Sequence, residues 1–488
     1  MITTTNKLTE FRIPIRHPQF STYVKLCGAL TLVLLPAALI VRADQVDEYV
    51  SMQMQLQHIP GLSLAVVRDG QIVKTKGYGL ANLELEVPAK PETAYELASA
   101  TKPFVAEAAL LLVQDGKISL DDKIAKYLEN PPNAWADITL RHLLTHTSGI
   151  PDYAGVRQKA EDLFDYVRLP RDPNIIIKSV ADLPLRFSPG SKWDYSNTGY
   201  VLLAMIVEKV SGQRYDLFLE ARVFKPLGMT ATCRDDWFSI IPNRVSGYGS
   251  NGNEFFNADH LEPPSWSYGD EGVVSTALDL AKWEAAFSTH PPLALSSCKA
   301  MYDPVKLSDG SAHAFGLGWH LAEVNGHRQV FHTGGRPGVA TVIARYPDDR
   351  LSVVVLANLS GANTLLIALK VAGMIDAALL PPDYSVTASA PPASDTQSHP
   401  VPITVTVQNT GGKSANDLID LEIQDSSGRR AGQQVKEGES FAAGETKTFT
   451  FTWTPVATGK YTVNVGVFRA NWMGQYLWQS NAASITVK

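Results

Sequence analysis

The chain has 488 residues, 45% of them hydrophobic and 19% charged, with a mean hydropathy of −0.06; this excludes wholesale disorder and allows a large buried core. At roughly 100–200 residues per domain, the length points to more than one domain or to one large domain with an appendage. A formal net charge of −6 and a pI of about 6.0 leave no broad basic surface, so nucleic-acid binding is not expected.

Residues 1–43 read as a signal peptide. Lys7, Arg12, Arg16, Lys25 and Arg42 face a single acid, Glu10, around an apolar run from Leu26 to Val41 that Pro36 interrupts. The run falls short of the ~18–20 residues of a membrane span, and Val41-Arg42-Ala43 sets small side chains at the −3 and −1 positions of a cleavage site. Cleavage there leaves a net charge of −10 on an exported protein, periplasmic or secreted. Left uncleaved, the same segment is a membrane anchor. Cys27 opens the apolar run, whereas a lipoprotein signal needs its cysteine at the end. Cys233 and Cys298 then remain, compatible with one disulfide or two free thiols, and neither belongs to a Cys-x-x-Cys pair. No zinc, redox or other cofactor site is implied.

From Gln45 onward, strand-like and helix-like stretches mix. Ser63–Val67 and Gln71–Tyr78 flank Arg68-Asp69-Gly70 as a hairpin with Asp-Gly in its turn. After Ser99, residues Ala106, Ala109, Leu110 and Val113 recur at helical spacing, and Asp115-Gly116 supplies the stop. Further helices are expected at Ile138–Leu144, Gly199–Val210, Ala277–Phe287 and Thr364–Leu379, and β-branched strands at Thr341–Tyr346 and Leu351–Ala357. Strands, then a helical middle, then strands imply an α+β domain over residues 44–380, whose antiparallel sheet joins distant parts of the chain, with the helices segregated from it.

Pro381-Pro382 and Ser389-Ala390-Pro391-Pro392-Ala393-Ser394 mark residues 381–398 as an exposed linker. Beyond it Ile403–Gln408, Thr446–Trp453 and Lys460–Phe468 alternate apolar and polar residues, so residues 399–488 are expected to form an all-β sandwich.

The chemistry begins at Ser99-Ala100-Thr101-Lys102. A hydroxyl and an amine three positions apart at a helix start share one face, and an amine held neutral can take the proton of a serine nucleophile. Spacing alone is weak evidence, because Ser296-Ser297-Cys298-Lys299 repeats it. Tyr195-Ser196-Asn197 and His332-Thr333-Gly334 follow downstream, each the single occurrence of its pattern. A phenol can serve as a second proton carrier, an asparagine amide can hold a substrate carbonyl, and a small-residue strand admits an extended substrate beside it.

With these motifs, residues 45–380 resemble the penicillin-recognising serine hydrolases, a superfamily that includes class C β-lactamases, D-alanyl-D-alanine carboxypeptidases, D-aminopeptidases and related esterases. Leu143-Leu144-Thr145-His146-Thr147-Ser148-Gly149-Ile150, Pro189-Gly190 and Phe315-Gly316-Leu317-Gly318-Trp319 add to the likeness. The resemblance implies a β-lactamase/transpeptidase-like fold. It also implies that Ser99 forms an acyl-enzyme, that Lys102 and Tyr195 relay its proton, that Asn197 holds the acyl-side amide, and that the N–H groups of Ser99 and Gly335 form an oxyanion hole. The substrate expected is a small peptide, ester or β-lactam, with D-amino-acid peptides and related amides or esters foremost, in the manner of a DD-carboxypeptidase. A promiscuous carboxylesterase or a weak β-lactamase is the alternative. His332 stands where class C β-lactamases carry lysine, which weakens a carboxylate clamp.

Some features point elsewhere. His142 and His146 have the spacing of a helical zinc pair, but Leu143 replaces the required acid and packing roles are expected. The C-terminal part resembles CARDB- or Ig-like sandwich modules. Its aromatics Trp472, Tyr476 and Trp478 would either stack on sugars or fill the core. Contact of residues 399–488 with cell wall or polysaccharide, and a wholly non-catalytic receptor of such polymers, are the readings from another class.

Overall fold

The computed structural model describes residues 45–157, 173–236, 239–252, 254–258, 268–289, 292–390, 399–468 and 475–488. The signal segment and Trp472 lie outside these residues.

The expected hairpin forms from β1 (Gly61–Arg68) and β2 (Gln71–Asn82). Asp69 and Gly70 in its turn have φ of 53° and 74°, the paired positive angles that a two-residue hairpin requires. A short β3 (Val87–Pro88) follows β2, and the remaining strands of this sheet come from far downstream: β4 (His320–Val324), β5 (His327–Arg336), β6 (Val339–Tyr346) and β7 (Leu351–Ala357). The sheet runs β4-β5-β6-β7-β1-β2-β3 with every pair antiparallel. Its two parts meet where Leu62 lies opposite Ala357 and Arg68 opposite Leu351.

The helices are α1 (Gln45–Gln57), α2 (Lys102–Gln114), α3 (Leu140–Leu144), α4 (Asn197–Ser211), α5 (Ala277–Thr289) and α6 (Thr364–Ile375), besides shorter turns. They cover both faces of the sheet. Val50 of α1 and Ile367 and Val371 of α6 share a core with Leu64, Val342 and Val355, while Phe104 and Val201 share another with Ala65, Ile343 and Val354. A sheet covered twice favours apolar residues on both faces, and β6 and β7 are buried along their whole length, with Thr341, Arg345 and Ser352 their polar members. Two boundaries move for local reasons. Helix α3 starts at Leu140 because Thr139 caps it in a reciprocal box with His142. Helix α6 stops at Ile375 because Asp376 leaves the helical region and caps the next short turn.

The C-terminal strands are β8 (Tyr384–Ser389), β9 (Val401–Asn409), β10 (Asp417–Asp425), β11 (Arg430–Glu439), β12 (Thr446–Trp453), β13 (Gly459–Phe468) and β14 (Gln475–Val487). They form the sheets β8-β9-β12 and β11-β10-β13-β14, with Val405, Leu421, Phe451 and Val465 in one shared core. The linker expectation is corrected here. Residues 384–389 are a sandwich strand, paired from Tyr384 opposite Asn409 to Ser389 opposite Thr404. Proline and serine composition outweighed a short edge strand whose alternate residues face solvent. The stretch before it is also fastened: Thr410 N–H donates to Asp383 O at 2.7 Å and Gly412 N–H to Pro381 O at 3.0 Å. Residues 391–398 lie outside the described residues. Tyr476 packs partly against the sandwich core, its ring 5.6 Å from that of Tyr384.

Candidate active site

Ser99 sits on a 3-10 turn, Ala98–Thr101, that runs directly into α2. Buried Ala98 holds a φ of 48°, a left-handed conformation that costs energy in a non-glycine residue and is kept only where the surroundings enforce it. The surroundings are β5 and β6. Thr341 Oγ1 donates to Leu97 O at 2.8 Å. A Cβ on Gly334 would lie 2.0 Å from Leu97 O and 3.1 Å from Ala100 N, so only glycine lets β5 close against the Ser99 turn. The next residue, Gly335, faces open space. Arg336 ends the strand with a buried ion pair, 3.3 Å from Glu96 Oε2, which ties β5 to the segment preceding Ser99.

Lys102 is fully buried. Its ammonium donates to Ser99 Oγ at 3.0 Å, Asn197 Oδ1 at 2.8 Å and Asp270 O at 2.8 Å, which uses all three of its protons. Burial disfavours the charge, but Tyr195 and the neighbouring Asp270 outweigh it and raise the lysine above its ordinary range. A protonated amine in this place is a hydrogen-bond donor to Ser99, whereas the sequence reading takes the amine as neutral. The Tyr195 ring centroid lies 4.8 Å from Nζ. Asn197 opens α4, where Ser196 is the N-cap, and its amide donates to Asp152 Oδ2 at 3.1 Å. Its orientation is fixed from both ends.

His332 is buried, with Nδ1 2.7 Å from Thr333 O. The carbonyl can only accept, so Nδ1 carries the proton, and Nε2 is a buried acceptor without a hydrogen-bond partner among the described residues. Burial, then His320 and Lys102, push this histidine well below its usual range. The third motif thus contributes no positive charge, a stronger departure from the lysine version than partial ionisation. Burial likewise pushes His320 down to about 4, with His313 and Lys102 adding to it. The rings of His320 and His332 lie 5.2 Å apart, and that of His332 is 6.3 Å from Tyr195.

Five motif residues expected at the site, Ser99, Lys102, Tyr195, Asn197 and His332, do converge, with Thr333, Gly334 and Gly335 along one strand beside them. Sequence reasoning missed the acids. Asp270 takes a hydrogen bond from Tyr153 at 2.6 Å. Burial, then Glu96 and Asp270, push Glu271 up to about 8. Burial also raises Asp152. None of them lies in a motif with a fixed spacing to Ser99. Among the described residues no group of His, Cys, Asp and Glu side chains is arranged to hold a metal. His142 accepts the Thr139 N–H at 3.2 Å within its capping box, while His146 accepts the Ser196 N–H at 3.1 Å. Cys233 and Cys298 are free thiols.

The profile of the Beta-lactamase family matches residues 46–372, and that of the CARDB family matches residues 381–471. The chain is 32% identical over 308 residues to penicillin-binding protein 4* of Bacillus subtilis, covering 59% of this chain and 66% of that protein. It spans just under two thirds of that relative's length. The D-amino acid amidase of Ochrobactrum anthropi, solved with L-phenylalanine amide, superposes with a TM-score of 0.57 at 26% identity, covering 68% of this chain and 97% of that one. The octameric penicillin-binding protein homologue of Pyrococcus abyssi shares the fold over 91% of this chain and 96% of its own, with a TM-score of 0.60 and 22% identity.

Proposed function

The chain belongs to the beta-lactamase family of serine hydrolases, and from that premise we propose that it is an exported enzyme that acylates Ser99 with D-amino-acid amides, peptides or related esters. The observation that carries this reading is the Lys102 ammonium bridging Ser99 Oγ and Asn197 Oδ1 at 3.0 and 2.8 Å. In this reading Tyr195 relays the proton: its oxygen accepts the Ser99 proton as the hydroxyl attacks the substrate carbonyl while its own hydroxyl proton goes to the leaving group, so that the C–N or C–O bond breaks. Lys102 keeps its charge and orients both Ser99 and Asn197. The N–H groups of Ser99 and Gly335 receive the developing oxyanion, a contribution of about 3–4 kcal/mol for such a donor. Water then enters, returns its proton through Tyr195, and releases the acid.

The uncharged His332 favours substrates without a carboxylate at that end, namely amides and esters, over a carboxypeptidase or an efficient β-lactamase. The mature protein and its Ser99→Ala variant, incubated with a penicillin, a D-amino-acid amide and an aryl ester, test the assignment by intact mass and product analysis. Turnover of the amide with little lasting penicilloyl adduct is expected. A Ser99→Ala enzyme that keeps wild-type hydrolysis of every substrate overturns the acyl-enzyme. Turnover of esters alone shifts the assignment to a carboxylesterase.

Export rests on the composition of residues 1–43, and an exported protein beginning at Asp44 is the expected mass. Among the described residues no helix is long and apolar enough to cross a membrane. Retention of the full-length protein on insoluble glycans or peptidoglycan tests wall contact through the sandwich.

A further inference from the structure

His146 reaches Tyr195 from three directions. Its carbonyl accepts the N–H of Asp194 at 2.9 Å, and its Nδ1 accepts the N–H of Ser196 at 3.1 Å, so the residues on either side of Tyr195 are both tied to it. Its ring lies 4.3 Å from the Tyr195 ring, tilted by 34°, and 5.1 Å from that of Tyr200. His146 itself is fully buried with a φ of 57°, a strained conformation for a side chain that is not glycine. Because Nδ1 accepts, the proton sits on Nε2, and that nitrogen is buried without a hydrogen-bond partner among the described residues. Packing alone explains neither the strained backbone nor the pair of bonds that bracket one tyrosine.

We infer that His146 is a positioning residue for Tyr195, holding the phenol in its place for proton transfer by bracketing its backbone and supporting its ring with an uncharged imidazole. This rests on the proton-carrier reading of Tyr195 given above. Only the neutral ring can do it, since a second proton on Nδ1 would meet the Ser196 N–H head-on. The groups facing the ring agree: Lys102 from α2, His320 from β4 and His332 from β5, together with burial, press it well below its usual range.

The test compares His146→Ala with His146→Asn, whose side-chain oxygen can take the place of Nδ1. His146→Ala should lower kcat about 10²-fold, as expected when a reacting group is displaced by an ångström or so, with KM within about threefold. His146→Asn should restore at least about tenfold of the loss. In a Tyr195→Phe background the alanine change should cost less than about threefold more, because its effect passes through Tyr195. Equal costs in the two backgrounds, a loss confined to KM, or no rescue by asparagine overturns the proposal. A crippled Tyr195→Phe enzyme with an unaffected His146→Ala enzyme overturns it alone. An unaffected Tyr195→Phe enzyme removes the Tyr195 reading and this proposal with it. ¹⁵N spectra of the wild type should show, besides His142, a second histidine protonated on Nε2 only and resistant to acid, and this second signal should vanish in His146→Asn; its absence contradicts the geometry on which the inference stands.

Discussion

The chain carries the same Ser-x-x-Lys spacing twice, and the two copies have different fates. Ser296 and Lys299 ride on the short helix Leu295–Ala300 with both side chains exposed. Ser99 and Lys102 span a strained turn and a helix start, and the lysine is wholly out of water. The spacing is shared, so it cannot be the source of the chemistry. What differs is the set of acceptors brought to the amine: Asn197, 95 residues away in sequence, and the Asp270 carbonyl, 168 residues away. A buried ammonium would be costly without them, and with them it is a fixed positive charge beside Ser99 Oγ.

The contrast breaks if the two serines behave alike. Ser99→Ala should lower turnover by at least ~10³-fold and abolish any covalent adduct in intact-mass spectra, while Ser296→Ala leaves both unchanged. The lysines should follow with a smaller gap. Lys102→Ala is expected to reduce kcat by roughly 10²–10⁴-fold, since Ser99 and Asn197 both lose their orienting donor. Lys299→Ala should stay within error, and a matching loss there would mean that the surface copy takes part.

A second contrast, between adjacent glycines, sharpens the first. Gly334→Ala forces a methyl group into Leu97 O and the Thr341 hydroxyl, 2.0 and 2.4 Å from the new Cβ. Overpacking of that kind costs about 1–3 kcal/mol, and it should appear as a lower midpoint in chemical denaturation together with lost activity. At Gly335 nothing lies within 4 Å of the new atom, so Gly335→Ala should keep wild-type stability. Equal destabilisation by both would mean that β5 does not close on the Ser99 turn as described.

Much of this was readable from residue order. The Asp69-Gly70 turn, the pairing of early and late strands, the alternation of the sandwich strands and the convergence of Ser99, Tyr195, Asn197 and His332 all rest on patterns that act locally or recur as motifs. The charge state of Lys102 was not readable, because it depends on the backbone carbonyl and the carboxylate of Asp270, which only folding brings near. Burial of His332, which removes its charge, is equally invisible in a His-Thr-Gly triplet. His146 stood within a stretch already noted for its resemblance, yet nothing in that stretch names Tyr195 as its partner. The strand Tyr384–Ser389 was lost to its proline-rich flanks, since an edge strand needs apolar residues on one face only.

The smallest expected effect concerns pH, where the histidines and the acids around the site pull in opposite directions. His320 falls from 6.5 to about 4 on folding. The stability it contributes is present in full above 6.5 and is lost as pH falls toward 4, because the unfolded chain takes up the proton first. His146 and His332 act in the same direction. Glu271 rises from 4.5 to about 8, so its contribution is present below 4.5 and is lost as pH climbs through 8. Between 4.5 and 6.5 the two effects oppose each other. Above 6.5 the acids act without them: Glu271 through 8, and Glu107, which burial raises to about 7. Urea denaturation of the wild type should therefore show stability falling from pH 6.5 to 8.5, and Glu271→Gln should flatten that decline while leaving the acid-side loss in place. An unchanged alkaline slope in Glu271→Gln would mean that Glu271 is already ionised in the resting site, and the acids beside Lys102 would then carry more negative charge at neutral pH than this account gives them.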